Sequence, residues 1–165
     1  MIRHCLDSLF CSGIEDIVVV LGSRDSKVIN AVNGLPVRVA FNDAPESDMA
    51  ESLRTGLRTV DISSTGILIS LADQPLVLSG TIKTLVNIHD GEPDRILVPQ
   101  YGVKKGHPVL LPKILLNGIF SGGTLRDIIR QYPERVCLIP VTDEGVVLDV
   151  DTLDDYRKIV MMPRS

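Results

Sequence analysis

Two acidic segments hold the residues whose types and spacing best suit chemistry. In Ser70-Leu71-Ala72-Asp73-Gln74-Pro75 an apolar run ends in a carboxylate, and Pro75 stops further ladder pairing. A carboxylate so placed can hold a divalent ion such as Mg²⁺, which takes oxygen ligands and bridges phosphate groups. Asp and Pro serve a plain turn equally well. The second segment runs from Leu148 to Asp155 and contains Asp149, Asp151, Asp154 and Asp155. Asp151 or Thr152 suits the cap of a following helix, and Asp154 and Asp155 suit its positive first turn. That leaves two aspartates flanking Val150 to be explained. If Asp151 faces Asp73 across a cleft, two carboxylates surround one Mg²⁺, an arrangement fit for transferring a nucleotidyl group.

Three further segments place polar groups where a ligand could meet them. In Gly106-His107-Pro108 the glycine allows a ligand close to the backbone and the proline fixes the turn. His107 there is either a donor to a phosphate or heteroaromatic ring, or a structural residue; Lys104 and Lys105 beside it read as a solvated pair. Asn42 follows an apolar run, and Ser52 lies in the first turns of the next helix, where exposed N–H groups favour polar ligands. In Ser121-Gly122-Gly123-Thr124-Leu125-Arg126, glycines lead into a helix with Arg126 near its start, a weaker form of the same anion-binding logic.

These residues are carried by an alternation of helices and strands. Ile2, Cys5, Leu6, Leu9 and Phe10 recur at helical spacing, and Ser12-Gly13 ends that helix. The unbroken run from Ile17 to Leu21 is the pattern of a strand buried on both faces. The sequence then predicts a helix over 26–32, a strand over 37–41, a helix over 49–60, a strand over 66–71 and a helix over 79–89. Strands at 96–98 and 109–111, a helix at 125–130, a strand at 136–139 and a closing helix at 153–161 complete the reading. Such alternation implies an α/β three-layer sandwich with a mostly parallel sheet. In such sheets ligands sit outside the carboxyl ends of strands, where Asn42 and Asp73 fall.

The totals set limits. A length of 165 residues fits one domain spanning 1–165. A formal charge of −4 without a dense basic run argues against a nucleic-acid partner. Cys5, Cys11 and Cys137 have no paired metal-ligand spacing, and an odd count favours reduced thiols in a cytoplasm. No apolar run approaches membrane-spanning length, and Arg3, His4 and Asp7 interrupt any signal-peptide pattern.

Taken in order, Asn42, Met49…Ser52-Leu53…Gly56, Ala72-Asp73-Gln74-Pro75, Gly106-His107-Pro108 and Leu148-Asp149-Val150-Asp151-Thr152 resemble the molybdenum-cofactor nucleotidyltransferases. The resemblance is to the MobA-like NTP transferases, especially their cytidylyltransferase branch. It implies a Rossmann-like fold and transfer of a nucleoside monophosphate, CMP from CTP, to a molybdopterin-type acceptor with release of pyrophosphate. It implies Mg²⁺ at Asp73 and Asp151 as the catalytic pair, and a nucleotide beside Asn42, Ser52, Ala72 and Asp73. The phosphorylated pterin acceptor is implied near Gly106, His107 and Arg126. Departures are also visible. The family opens with a strand and a Gly-rich loop bearing Arg and Lys, whereas Met1 falls after that loop. The expectation is a domain truncated at its N-terminus, first strand missing, with weakened activity and a homo-oligomer covering the open sheet. Asp48 replaces the family's usual glycine, and Gly122-Gly123-Thr124 replaces a pattern with an acidic residue. A non-catalytic nucleotide- or pterin-binding descendant and a sugar-nucleotide pyrophosphorylase relative are the alternatives.

Overall fold

The computed structural model describes residues 1–22, 26–43 and 48–150. Its first stretch alternates as α1 (Ile2–Cys11), β1 (Val18–Leu21), α2 (Ser26–Val32), β2 (Arg38–Phe41), α3 (Met49–Leu57) and β3 (Gly66–Ile69). There follow α4 (Ser79–Gly91), β4 (Ile96–Tyr101), β5 (Lys104–Lys105), β6 (Val109–Pro112), α5 (Asn117–Phe120), α6 (Leu125–Gln131) and β7 (Val136–Pro140). Short 3₁₀ turns at Lys113–Leu116, Pro133–Arg135 and Glu144–Val147 link the later elements. The closing helix expected over 153–161 lies outside the described residues.

Local chemistry explains the element ends. Asp48 caps α3 by accepting from the Glu51 N–H at 2.9 Å, which gives a physical role to the residue that departs from the family pattern. Thr124 and Asp127 form a reciprocal capping box at α6, so the Gly122-Gly123-Thr124 stretch is explained as a helix start with Gly122 at φ 92°.

The strands form a mixed arrangement, correcting the expectation of a mostly parallel sheet. β1 and β2 pair in parallel, Val18 opposite Arg38 through Leu21 opposite Phe41. A second, five-stranded sheet joins β3 to β6, β6 to β4 and β5 to β4 in antiparallel pairs, with β7 parallel to β4. The reason is local. The tight reversal from β4 into β5 and the turn at Gly106-His107-Pro108, whose His107–Pro108 bond is cis, send β6 back between its neighbours. A parallel partner needs a longer crossover.

Strand alternation divides the core between two helical layers. Ile96, Val98, Val109 and Leu111 pack with Leu116, Ile119 and Ile128 on the side of α5 and α6. Leu97 and Leu110 turn the other way onto Leu85 of α4. Leu85, Leu97 and Leu111 have no exposed surface, and full burial of such side chains stabilises by about 1.5–3 kcal/mol each. Beside β1, Leu6 and Leu9 of α1 meet Val19, Leu21 and Val32.

Candidate functional site

The strand ends bring together a group centred on Asp73. β3 ends at Ile69, and the Leu71–Pro75 turn follows, tied by the Gln74 N–H to the Leu71 carbonyl at 3.4 Å. The Val150 N–H donates to the Asp73 carbonyl at 2.8 Å, and the Gln74 amide donates from Nε2 to Asp149 Oδ1 at 2.8 Å. These two bonds fasten the late acidic segment to the Asp73 turn. Gln74 is only 5% exposed, yet among the described residues its Oε1 has no hydrogen-bond partner, and neither does the buried Asp73 Oδ1. Buried polar atoms are normally satisfied, so two adjacent oxygens unpaired among the described residues are candidates to receive a ligand.

His107 faces the same group. Its N–H donates to the Val146 carbonyl at 2.9 Å. Burial pushes the imidazole pKa down, while the charges of Asp149 and Asp73 act in the opposite direction. The outcome is a pKa below the ordinary value, so the ring is neutral at neutral pH and offers one donor and one acceptor. Cys5, in the first turn of α1, adds a thiol that donates to the Ala72 carbonyl at 3.5 Å. Burial, reinforced by the Asp73 charge, pushes that thiol up to about 11. It is therefore a neutral thiol at neutral pH.

Asn42 and Ser52 also meet: Asn42, 4% exposed, donates from Nδ2 to Ser52 Oγ at 3.2 Å. Ser52 and Ala72 both line the cavity between β1 and β3, whereas Asn42 and Asp73 are not among its lining residues. Gly106 is accounted for by packing. A Cβ there would lie 2.1 Å from the Val146 carbonyl oxygen, so the close approach it permits is by the chain itself. Arg126 is exposed in the first turn of α6, and no hydrogen bond or ion pair among the described residues links it to Asp73. Asp151 lies outside the described residues; Val150 before it sits against Asp73.

Two participants were not singled out as site residues from sequence. Asp149 was noticed only as one of two aspartates flanking Val150, and Gln74 only as part of its motif. Asp143 was missed altogether. It is 5% exposed and accepts from the Leu78 N–H (2.9 Å), Thr81 Oγ1 (2.7 Å) and the Gly145 N–H (3.0 Å). It therefore binds the start of α4 to the segment that carries Val146, Asp149 and Val150.

Among the described residues no group of three or more His, Cys, Asp and Glu could hold a metal ion. One or two carboxylates suffice for Mg²⁺ when substrate phosphates supply the remaining oxygens. The orphaned Asp73 Oδ1 fits that requirement. No helix among the described residues is long and apolar enough to cross a membrane.

The chain is similar to several known proteins. A curated relative, nicotine blue oxidoreductase of Paenarthrobacter nicotinovorans, is 26% identical over 171 residues, covering 97% of this chain and 82% of the relative. The crystal structure of Rv0371c from Mycobacterium tuberculosis H37Rv superposes with a TM-score of 0.79 at 27% identity, covering 98% of this chain and 83% of that one. The same protein has also been solved in complex with manganese. A molybdopterin-guanine dinucleotide biosynthesis protein A from Archaeoglobus fulgidus matches with a TM-score of 0.58 at 14% identity over 86% of this chain and 75% of that one, a likeness of fold alone. The model of the MobA-like NTP transferase domain matches residues 1–136, and the chain belongs to that nucleotidyltransferase family.

Proposed function

We propose that the Asp73 group binds a nucleoside triphosphate together with Mg²⁺, and that the chain transfers CMP from CTP to a phosphorylated pterin of the molybdopterin type. The observation that carries this reading is the pair of orphaned oxygens, Asp73 Oδ1 and Gln74 Oε1, held at the end of β3 beside Asp149 and His107. When bound, Mg²⁺ would be held by Asp73, joined by Asp151, and would neutralise charge on the phosphate oxygens. Asn42 and Ser52, hydrogen-bonded to one another, would take the nucleotide side. Neutral His107 offers a hydrogen bond to the acceptor phosphate, with Gly106 fixing its backbone and Arg126 proposed to contribute charge from α6. In the reaction an acceptor phosphate oxygen forms a bond to the α-phosphorus while the bond from that phosphorus to pyrophosphate breaks, and pyrophosphate leaves.

A second reading, binding without turnover, is supported by the charge of the group. Among the described residues the side chains gathered at Asp73 are acidic or neutral, whereas departure of pyrophosphate is favoured by positioned cations.

Calorimetric titration with CTP, GTP and ATP, with and without Mg²⁺, tests the proposal. Mg²⁺-dependent binding of CTP should weaken at least tenfold in Asp73→Asn. Equal affinity in the variant would remove Asp73 from the site. Pyrophosphate release with a pterin phosphate but not a sugar phosphate separates the transferase from its sugar-nucleotide relatives, and binding without release supports the second reading.

A further inference from the structure

The side chain of Gln74 is engaged at one end only. It is 5% exposed, its Nε2 donates to Asp149 Oδ1 at 2.8 Å, and its Oε1 has no partner among the described residues. An ionised carboxylate only accepts, so the amide nitrogen must face Asp149 and the oxygen must face away. The surrounding backbone is fixed as well. The Gln74 N–H is used on the Leu71 carbonyl at 3.4 Å, and the Val150 N–H ties the late segment to the Asp73 carbonyl at 2.8 Å. Pro75 follows and has no N–H to offer. Oε1 is therefore a stationary acceptor without a donor from the chain around it.

What such an oxygen can take is narrow. Phosphate and carboxylate oxygens are acceptors and cannot serve it. It needs an N–H, an O–H or a cation, and the residue before it carries a second unpaired acceptor, Asp73 Oδ1. One source of positive charge answers both. Mg²⁺ taken up through one or two carboxylates keeps several waters, and a donor polarised by a cation makes a strong hydrogen bond to a neutral oxygen.

The residue type agrees. The charges of Asp73 and Asp149 both act on His107, so the group already gathers two negative charges. Glutamate at 74 would set a third carboxylate against Asp149 at hydrogen-bonding distance, where like charges repel. An amide of the same reach gives a donor to Asp149 and an acceptor at its other end without added charge.

We propose that Gln74 is a positioning residue with two working ends: Nε2 holds Asp149 against the Asp73 turn, and Oε1 accepts from the hydration shell of a divalent ion carried by Asp73. The proposal rests on the reading of Asp73 as the metal carboxylate and adds to it the side chain that couples the ion to the late acidic segment.

Calorimetry at fixed CTP reads the Mg²⁺ concentration needed for half-maximal binding. Gln74→Met, of similar length but without either amide end, should raise it about tenfold or more, while CTP affinity without Mg²⁺ changes less than about twofold. Gln74→Glu combined with Asp149→Asn reverses the hydrogen bond and keeps both the total charge and an oxygen at the free end. This pair should return the Mg²⁺ requirement to within about threefold of the native chain, whereas Gln74→Glu alone should not. Amide exchange at Val150 should quicken about tenfold in Gln74→Glu and slow again in the pair.

An unchanged Mg²⁺ requirement in Gln74→Met, or a pair no better than Gln74→Glu alone, overturns the proposal. So does an equal loss of CTP affinity with and without Mg²⁺, which would put the donor on the nucleotide or leave Gln74 a structural role alone. In each case a weakened Asp73→Asn variant keeps the Asp73 reading standing. If Asp73→Asn binds Mg²⁺ and CTP as the native chain does, or the native chain shows no Mg²⁺-dependent binding, both readings fall. Should Gln74→Met lose its near-UV circular dichroism, the comparison of Gln74→Glu with the pair decides.

Discussion

Replacing Gly106 with alanine adds one methyl group at a place where the backbone cannot easily give way. The new Cβ would lie 2.1 Å from the Val146 carbonyl oxygen, 2.7 Å from its carbon and 2.9 Å from its Cβ. Val146 has no exposed surface, and Gly106 is itself tied by its N–H to the Pro99 carbonyl at 2.9 Å. The two segments must separate by roughly an ångström to restore ordinary contact distances. Overpacking of this kind costs about 1–3 kcal/mol. Separation also breaks the bond from the His107 N–H to the Val146 carbonyl, and leaving that buried pair unsatisfied costs about 1–3 kcal/mol more. The expected loss is therefore about 2–6 kcal/mol, read as a lowered midpoint in urea at unchanged slope. Because the displaced segment carries His107 away from Asp73 and Asp149, Mg²⁺-dependent CTP affinity measured well below the midpoint should fall as well. A stability change below about 0.5 kcal/mol, within the range of neutral surface substitutions, would refute the steric argument.

Asp143→Ala removes the acceptor of three hydrogen bonds, two of them buried, and should cost about 3 kcal/mol or more; a urea midpoint equivalent to a loss below about 1 kcal/mol would contradict the role assigned to this carboxylate. His89 is held below its ordinary pKa by burial, against the opposing charge of Asp90. Its stabilising contribution is complete above the unfolded pKa of about 6.5 and declines as pH falls from there toward the lower folded value. His89→Leu should flatten that part of the urea-stability profile, and an unchanged acid slope would exclude His89 as its source. Thr124→Ala removes half of the capping box at α6 and should lower the melting temperature by about 2–4 °C; an unchanged melting temperature would show that the cap adds little in this context.

How much of this was legible depended on how far apart the partners stand. Asn42 and Ser52 are ten residues apart, and the strand end and helix start that carry them each leave a local pattern. Asp73 was visible for the same reason. Asp149, the partner of the neighbouring Gln74, is 75 residues away, and no local pattern encodes a pairing across that distance. Gly106 was recognised as a position of close approach, but the approaching group is Val146 rather than a ligand, which only the tertiary structure reveals. The helices α1, α2 and α4 matched their periodicity closely. The direction of β6 did not follow from periodicity, because an apolar run such as Val109–Leu111 looks the same whichever way its neighbours point.

The bonds that shape the Asp73 group also set an order of events for a growing polypeptide. Thr81 waits for Asp143, Gln74 for Asp149, and the Asp73 carbonyl for Val150. β4 gains β7 only when residues 136–140 arrive. Helices α1 to α4 and their local contacts can form while the chain is still emerging from the ribosome, since closing short loops costs little entropy. The site itself closes only after residue 150 is free to fold back. An incompletely synthesised chain ending before that point would retain most of its apolar clusters but leave Asp73 and Gln74 unfastened, so assembly of the Asp73 group is coupled to synthesis through residue 150.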